Sequence, residues 1–370
     1  MTGTTADERA DLRRSVGDLL DRLADEPGRR VAMDSELGHD PRLWSRLAEL
    51  GAFSLTVPEG LGGAGYGAVE QSVVLEELGR TLAPTPFLGT VVLAGSALIH
   101  SSDAVARECL AGIVDGTTLA ALALVEGDGR WRTTDFETRA VPNDDHWELT
   151  GVKTLVIDGA AADVLVVAAQ APEGPSLFLL TETDGVERTP LRTLDLTRRV
   201  ASLRLDRARA RLIGTQGGAE PVLDAVLDAA MVALAAEQVG AARACLDASV
   251  AYAKDRVQFG RQIGSFQAVK HRCADMYSRV QLAGAAAIEA AHAADSEPDR
   301  APADVSAAVA HLVCSEAAMM TATENIHVHG GIGFTWEHPA HLYFRRAKSS
   351  QLLLGGPGVT AERLLSRLGV

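Results

Sequence analysis

The chain of 370 residues is poor in the features that mark several specialised protein classes. Aromatic residues make up only 4%, lysines number four, and the formal net charge is −14. No basic stripe interleaved with aromatics is available to follow a nucleic-acid backbone or to settle on an anionic membrane surface. The four cysteines, Cys109, Cys245, Cys273 and Cys314, are far apart, form no C-x-x-C pair, and several fall on apolar helical stripes. That spacing suits reduced core thiols in a reducing compartment rather than a disulfide framework. No stretch approaches ~18 uninterrupted apolar residues. The opening run M-T-G-T-T-A-D-E-R-A is polar and acidic, so the expected location is the cytoplasm. What the chain does have is core-forming material: 47% of its residues are hydrophobic and 23% charged, enough for two or three packed layers.

The chain opens helical. Leu12, Val16, Leu19, Leu20 and Leu23 trace one face. Asp40 and Pro41 form a cap and first-turn pair before Leu43, Leu47 and Leu50, and Gly51 ends that helix. Further helices are expected over 69–78, 86–100 and 103–114. The run G-L-G-G-A-G at 60–65 formally fits a dinucleotide fingerprint. No strand–helix–strand unit surrounds it, and no acidic residue follows ~20 positions on in a strand context, so it reads as a flexible turn. From Leu119 to about Leu212 the pattern shortens into apolar or alternating runs such as W-E-L-T-G-V-K, D-V-L-V-V and S-L-F-L-L. Turns fall at Asn143–Asp145, Asp158-Gly159 and Asp184-Gly185, which suits a small barrel or sandwich. Helical periodicity returns after Pro221 and persists to Leu364, Leu365 and Leu368. The expected class is α+β, mainly α, with a helical domain over 1–116, a middle β-domain over 117–212 and a second helical domain over 213–370.

One stretch carries most of the chemistry: Tyr252 to His271, Y-A-K-D-R-V-Q-F-G-R-Q-I-G-S-F-Q-A-V-K-H. Leu223, Leu227, Met231 and Leu234 predict a helix before it, and Val269, Cys273, Met276, Val280, Ala283 and Ala287 predict one after it. Between them Gly260 and Gly264 break the pattern and leave Arg256, Gln258, Phe259, Arg261, Phe266 and Gln267 at a helix–helix corner. This mixture suits a nucleotide: arginine offers a fork of donors to a pyrophosphate, glutamine bonds phosphate or ribose, and phenylalanine gives a purine an apolar face. The same residues also fit an amphipathic helix hairpin with charged ends, and spacing does not choose between the two.

The pattern R-x-Q-F-G-x-x-I-x-x-F-Q-x-x-K-H resembles the signature of the acyl-CoA dehydrogenase family, flavoenzymes that desaturate acyl-CoA thioesters between the α and β carbons. The stretch 327–346, H-V-H-G-G-I-G-F-T-W-E-H-P-A-H-L-Y-F-R-R, resembles that family's G-G-x-G-F loop and following helix. Residues 49–80, with E-L-G, V-P-E, G-G-x-G and L-E-E-L-G-R, resemble its N-terminal helices. The resemblance implies an N-terminal helical domain, a middle β-domain and a C-terminal four-helix bundle that builds a tetramer. It also implies FAD, an acyl-CoA substrate, and electron-transfer flavoprotein or a similar acceptor.

Desaturation needs a carboxylate to take the α-proton while the flavin accepts hydride from Cβ. Most family members place that Glu in Y-E-G-T near the C-terminus; here R-R-A-K-S-S-Q-L-L-L-G-G puts Leu354 at the position, followed by Gly355 and Gly356. Some place it on the helix before the arginine motif, just ahead of an Arg, where this chain has Ala230 and Met231. No catalytic base is expected at either site. Glu237 is the nearest alternative, two turns from Ala230 on the same face but ~10 Å along the axis, too far for simple replacement. The segments that hold the flavin in cis depart as well. The family's T-E-P-x-A-G-S-D loop reads A-L-V-E-G-D-G-R-W, and Leu155 and Ile157 stand where Trp and Thr are usual in W-I-T. The motifs that in the family reach the neighbouring subunit's FAD persist: Arg256, Gln258, Phe259, Phe266, Gln267, Gly330, Gly331, Gly333 and Phe334.

The resulting expectation is a base-lacking chain that completes an FAD site shared across an interface with a catalytic partner chain. Such chains resemble the β subunits of αβ heterotetrameric acyl-CoA dehydrogenases of bacterial steroid side-chain and related catabolism. Two other readings stand beside it: a self-sufficient homotetramer with a relocated base, and a flavin-free acyl-CoA-binding or assembly scaffold. His327, His329, His338 and His341 follow a glycine loop without a cysteine or carboxylate set, which favours a loop scaffold over a metal site. Glu76 and Glu77 are adjacent and read as a solvated helix face, and Ser265 has no histidine partner for nucleophilic chemistry.

Overall fold

The computed structural model describes residues 4–296 and 303–370. Its helices begin where polar side chains meet free amides. α1 (Ala6–Leu23) starts at a capping box of Thr5 and Glu8, and α2 (Glu26–Asp34), which the sequence reading did not anticipate, starts at Asp25. α3 (Pro41–Glu49) starts at Asp40 as expected. α4 (Ala68–Thr81) has Gly67 at its cap, so its amides are met from elsewhere: Asp295 accepts from the amides of Ala68 at 2.6 Å and Val69 at 3.0 Å. The run G-L-G-G-A-G lies in a short turn and open coil ahead of α4, with no strand beside it.

A single helix was expected over 86–100. Instead a wholly buried π-helix, Phe87–Ala94, runs into α5 (Gly95–Ile99). α6 (Ala104–Val114) follows, capped by Asp103.

The strands are β1 (Ala120–Ala123), β2 (Arg139–Asn143), β3 (His146–Ile157), β4 (Val164–Ala171), β5 (Gly174–Leu180), β6 (Val186–Pro190) and β7 (Val200–Ile213). Pairing runs β4, β2, β3, β7, β5 and back to β4, so the sheet closes into a barrel, with β1 attached to β4 and β6 to β7. Period-two patterning explains how it is buried on both sides. In β1 and its continuation, Ala121 and Ala123 join the barrel's own core with Leu149, Leu165 and Phe178, while Ala120, Leu122 and Leu124 join the core of the helices.

The rest is helical: α7 (Ala219–Asp255), the two-residue strands β8 (Val257–Gln258) and β9 (Arg261–Gln262), α8 (Gln267–Ala294), α9 (Ala303–His329), α10 (Ala340–Leu352) and α11 (Gly356–Arg367). α7, with 37 residues, is the central element and packs against α4, α8, α9 and α10. The segment Ala303–Phe334 is long and apolar enough to cross a membrane, yet 56% of its apolar stretch is buried inside the protein, where α9 packs between α7 and α8.

Glu76 and Glu77 do not form the expected solvated face. Because α1 packs over α4, Arg13 reaches Glu76 at 2.8 Å and Glu77 at 3.2 Å, Arg80 reaches Glu77 at 2.6 Å, and Arg243 of α7 reaches Glu76 at 3.2 Å. Beneath this network α4 and α7 touch backbone to backbone. A Cβ at Gly240 would lie 1.8 Å from the carbonyl oxygen of Glu76, and one at Gly79 would lie 1.9 Å from that of Glu237. Gly240→Ala is therefore expected to force the two helices apart and to lower the unfolding free energy by about 2 kcal/mol or more. Urea denaturation measures this, and an unchanged midpoint would show that the helix pair has slack.

Candidate functional site

The arginine stretch is more ordered than a bare helix–helix corner. α7 ends at Asp255, and Arg256 donates its amide to Tyr252 O at 2.9 Å. β8 and β9 then form a hairpin whose turn residues, Phe259 and Gly260, have φ of +53° and +74°. Both central residues in the left-handed region is the geometry that matches strand twist in a two-residue hairpin. The turn pushes the Phe259 ring outward until it is 91% exposed. Phe266, just before α8, is half-buried: the Arg261 guanidinium lies 4.1 Å over its ring, and the Phe259 ring meets it edge-on at 6.2 Å. Arg256, Gln258 and Gln267 are exposed, and among the described residues Arg256 has no carboxylate within ion-pair distance.

The glycine loop comes to the same end of the bundle. Tyr252, one turn before Arg256, stacks on His329 with ring centroids 4.3 Å apart, and Gly330 follows directly with φ +65°. Gly330 and Gly331 are exposed with open space around the positions a Cβ would take, whereas Gly333 is buried against Ile326 and His329. Phe334 is 72% exposed and Trp336 54%. Three of the four histidines are used in packing: His329 lies between Tyr252 and His338, and His341 meets the Trp336 ring edge-on at 4.6 Å, while His327 is exposed beside Arg272 and Glu324. Among the described residues no group of three or more His, Cys, Asp or Glu is placed to hold a metal.

The departing positions lie elsewhere and have the opposite character. Leu354 is buried, at φ +60°, and is followed by Gly355 and Gly356 at +104° and +73°, so three successive residues have positive φ in the link between α10 and α11. Ala230 and Met231 are buried on α7. Ile157 is buried at the end of β3, and Leu155 sits at a bulge in that strand with φ +50°. Leu354, Ala230, Met231 and Ile157 belong to one continuous apolar cluster, and Leu155 packs against it. The loop that reads A-L-V-E-G-D-G-R-W folds back on itself around Glu126, whose carboxylate accepts from the amides of Glu137 at 2.6 Å and Thr138 at 2.8 Å and pairs with Lys153 of β3 at 2.8 Å. Trp131 of that loop is buried in the same cluster.

Glu237 is already committed. Arg198 donates to both of its oxygens, at 2.8 and 2.9 Å, and Arg346 lies 3.7 Å away. Burial pushes the Glu237 carboxyl up, but the charges of Arg198 and Arg346 outweigh this and hold it below its ordinary value. Arg198 and Arg346 face this glutamate, Asp195 pairs with Arg346, and Asp158, expected only as a turn residue, faces both arginines; the visible signal in the sequence is only the pairs Arg198-Arg199 and Arg345-Arg346 beside apolar runs.

Comparison with known proteins agrees with this architecture. The family model described as acyl-CoA dehydrogenase, N-terminal domain, matches residues 6–117, and that described as acyl-CoA dehydrogenase, C-terminal domain, matches 216–369. Acyl-CoA dehydrogenase IpdE2 of Mycolicibacterium smegmatis is 40% identical over 97% of this chain and 98% of its own length. Among solved structures, a chain of the Tcur3481-Tcur3483 steroid ACAD superposes with a TM-score of 0.89 at 34% identity, covering 99% of each chain. A chain of the ChsE4-ChsE5 complex from Mycobacterium tuberculosis superposes with a TM-score of 0.88 at 32% identity, covering 100% of this chain and 99% of that one. The two family models, the full-length relative and the matching fold together place this chain in the acyl-CoA dehydrogenase family.

Proposed function

We propose that this chain is the base-lacking subunit of a heteromeric, cytoplasmic acyl-CoA dehydrogenase, and that it completes the FAD site of a catalytic partner chain. One observation carries the reading. The positions where the family places its base and its cis flavin contacts, Leu354, Ala230 and Ile157, are merged into a buried apolar core, while Arg256, Gln258, Phe259, Gln267, Gly330, Gly331 and Phe334 stand exposed at one end of the bundle. A flavin ring requires hydrogen-bonding partners at its polar edge, and neither Leu155 nor Ile157 has a side chain that can supply one. The exposed end suits the other half of the cofactor: a guanidinium with no carboxylate partner among the described residues, two open glycines and an outward phenyl ring fit a pyrophosphate and an aromatic base. When bound, FAD supplies the hydride acceptor for α,β-desaturation of an acyl-CoA. On this reading the chain's own residues hold and orient the cofactor, and the proton at Cα is taken by the partner. The heteromeric ChsE4-ChsE5 and Tcur3481-Tcur3483 assemblies support a paired arrangement, and an electron-transfer flavoprotein or similar acceptor would reoxidise the complex.

A self-sufficient enzyme would need another carboxylate at the thioester, and Glu237, two turns from Ala230 on the same face of α7, is the candidate. Its pairing with Arg198 removes both oxygens from that role.

The lone chain should purify with little FAD, and the complex with stoichiometric flavin; the visible spectrum of each decides, and a yellow homo-oligomer would overturn the subunit reading. Arg256→Ala should weaken FAD retention by the complex about tenfold or more, since a charge-assisted hydrogen bond contributes roughly 1.5 to 3 kcal/mol. Flavin release measured on the assembled mutant complex tests this, and unchanged retention would return Arg256 to a mere helix-end charge. The lone chain should be inactive toward saturated acyl-CoA in a dye-coupled assay. Leu354→Glu should not restore turnover even though a general base contributes about 10²- to 10⁴-fold, because the ring's cis contacts would still be missing. Robust turnover by the lone chain, abolished by Glu237→Gln, would show that a base has moved.

A further inference from the structure

Five ionisable side chains from separate parts of the chain meet at the junction of the barrel, the π-helix and the bundle. Asp195 and Arg198 come from the segment between β6 and β7, Glu237 from α7, Arg346 from α10 and Asp158 from the turn after β3, and none is more than 8% exposed. Arg198 holds Glu237 through its two bonds and donates to Ser350 Oγ at 3.2 Å. Arg346 Nε lies 3.5 Å from Asp195 Oδ2, and its Nη2 donates to Thr197 O at 3.2 Å. Asp195 Oδ1 accepts from the amide and hydroxyl of Thr197, at 2.9 and 2.6 Å. Asp195 Oδ2 and Arg346 Nε meet as an ion pair without a hydrogen bond, so the two guanidinium groups are matched by two carboxylates in charge.

Asp158 is the third carboxyl. Among the described residues it forms no ion pair, and its Oδ2 is buried without a hydrogen-bond partner. Three surroundings face it: Arg198 of the inter-strand segment, Arg346 of α10, and the uncharged backbone amide of Gly89 in the π-helix. The approach to the π-helix is close enough to require glycine, since a Cβ at Gly89 would lie 2.5 Å from Asp158 Oδ2. With all five groups ionised, the junction would hold one negative charge in excess, out of contact with water, which is costly.

We propose that this junction holds one exchangeable proton, on Asp158, and that the proton clamps the barrel against the π-helix and the bundle. With the proton in place the buried charges balance; without it one buried carboxylate has no cation of its own, a desolvation cost that the Gly89 amide offsets only in part, and the docking loosens. Burial raises the Asp158 carboxyl from 3.8 to about 7, and the charges of Arg198 and Arg346 together with the amide of Gly89 pull it only partway back. The folded chain therefore keeps this proton at pH values where the unfolded chain has released it. Its stabilising contribution is complete below the ordinary carboxyl range and is lost as pH rises toward about 7, where it levels off. This inference is independent of the subunit reading.

The test compares full-length wild type with Asp158→Asn, which keeps the shape of the protonated acid but cannot ionise. In urea unfolding, the ratio of the wild-type to the variant unfolding constant should climb about tenfold per pH unit between about pH 5 and pH 7, then level off. A ratio independent of pH would overturn the proposal. Should the variant not fold, amide hydrogen exchange of the wild type decides. After correction for intrinsic rates, protection over 87–94 should fall between about pH 5 and pH 7 and then level off, while that of the β2–β3 hairpin does not. Equal behaviour of the two segments would overturn it.

Discussion

A carboxylate sealed between two guanidinium groups restricts everything built around it. Removing one partner from a buried pair leaves an uncompensated charge, at a cost of about 3 to 5 kcal/mol. The pair of Glu237 and Arg198, with Arg346 beside it, therefore fixes α7 against both the segment leading into β7 and α10. That constraint sets the rest of the α7 face. Two turns earlier on the same face lies Ala230, and there the surroundings change from charged junction to apolar core. α4 completes the frame, because Gly79 and Gly240 bring its backbone against that of α7 and leave neither helix free to slide.

Within this frame the two sets of family positions have separated physically. Leu354, Met231, Ile157 and Trp131 are core-forming residues in a shared cluster, and their burial stabilises the link between bundle and barrel. A polar base or a hydrogen-bonding flavin contact introduced there would need partners that the cluster does not contain. The left-handed backbone of Leu354, held between α10 and two glycines, is tolerated for the same reason: burial of the leucine offsets the conformational cost.

Much of the fold was legible because it is written locally. The four-and-three spacing along α7 and α8, the Asp40 cap and the alternating runs of β3 and β7 each record local structure. What escaped were features whose cause lies elsewhere in the chain. β2 and β6 each contain a proline and are mostly exposed or half-exposed, so they exist by pairing with β3 and β7 rather than by pattern. The π-helix has no periodic signature distinct from an α-helix over so few residues. Glu76 and Glu77 looked solvated because nothing in their neighbourhood announces Arg13 or Arg243. The charged junction was invisible for the same reason, since Arg198 and Glu237 are 39 residues apart and Arg346 is farther still. The candidate site was legible in its residues but not in its geometry: the motif named Phe259 and Phe334, and only the structure turns both outward.

That outward turn bears on which kind of partner the exposed end is built for. Burying a large apolar side chain contributes about 1.5 to 3 kcal/mol, and Phe259, Phe334, Trp336 and Val257 forgo most of it at one end of the bundle. Apolar exposure on that scale favours a contact surface. A purely apolar contact, however, would strand the guanidinium of Arg256 in the middle of it, because desolvating a charge without an opposite one costs more than the surrounding contacts return. The surface suits something that presents an anion next to an aromatic or apolar face. On the proposed reading a dinucleotide held in a second chain supplies both, its pyrophosphate for Arg256 and its base for the phenyl rings.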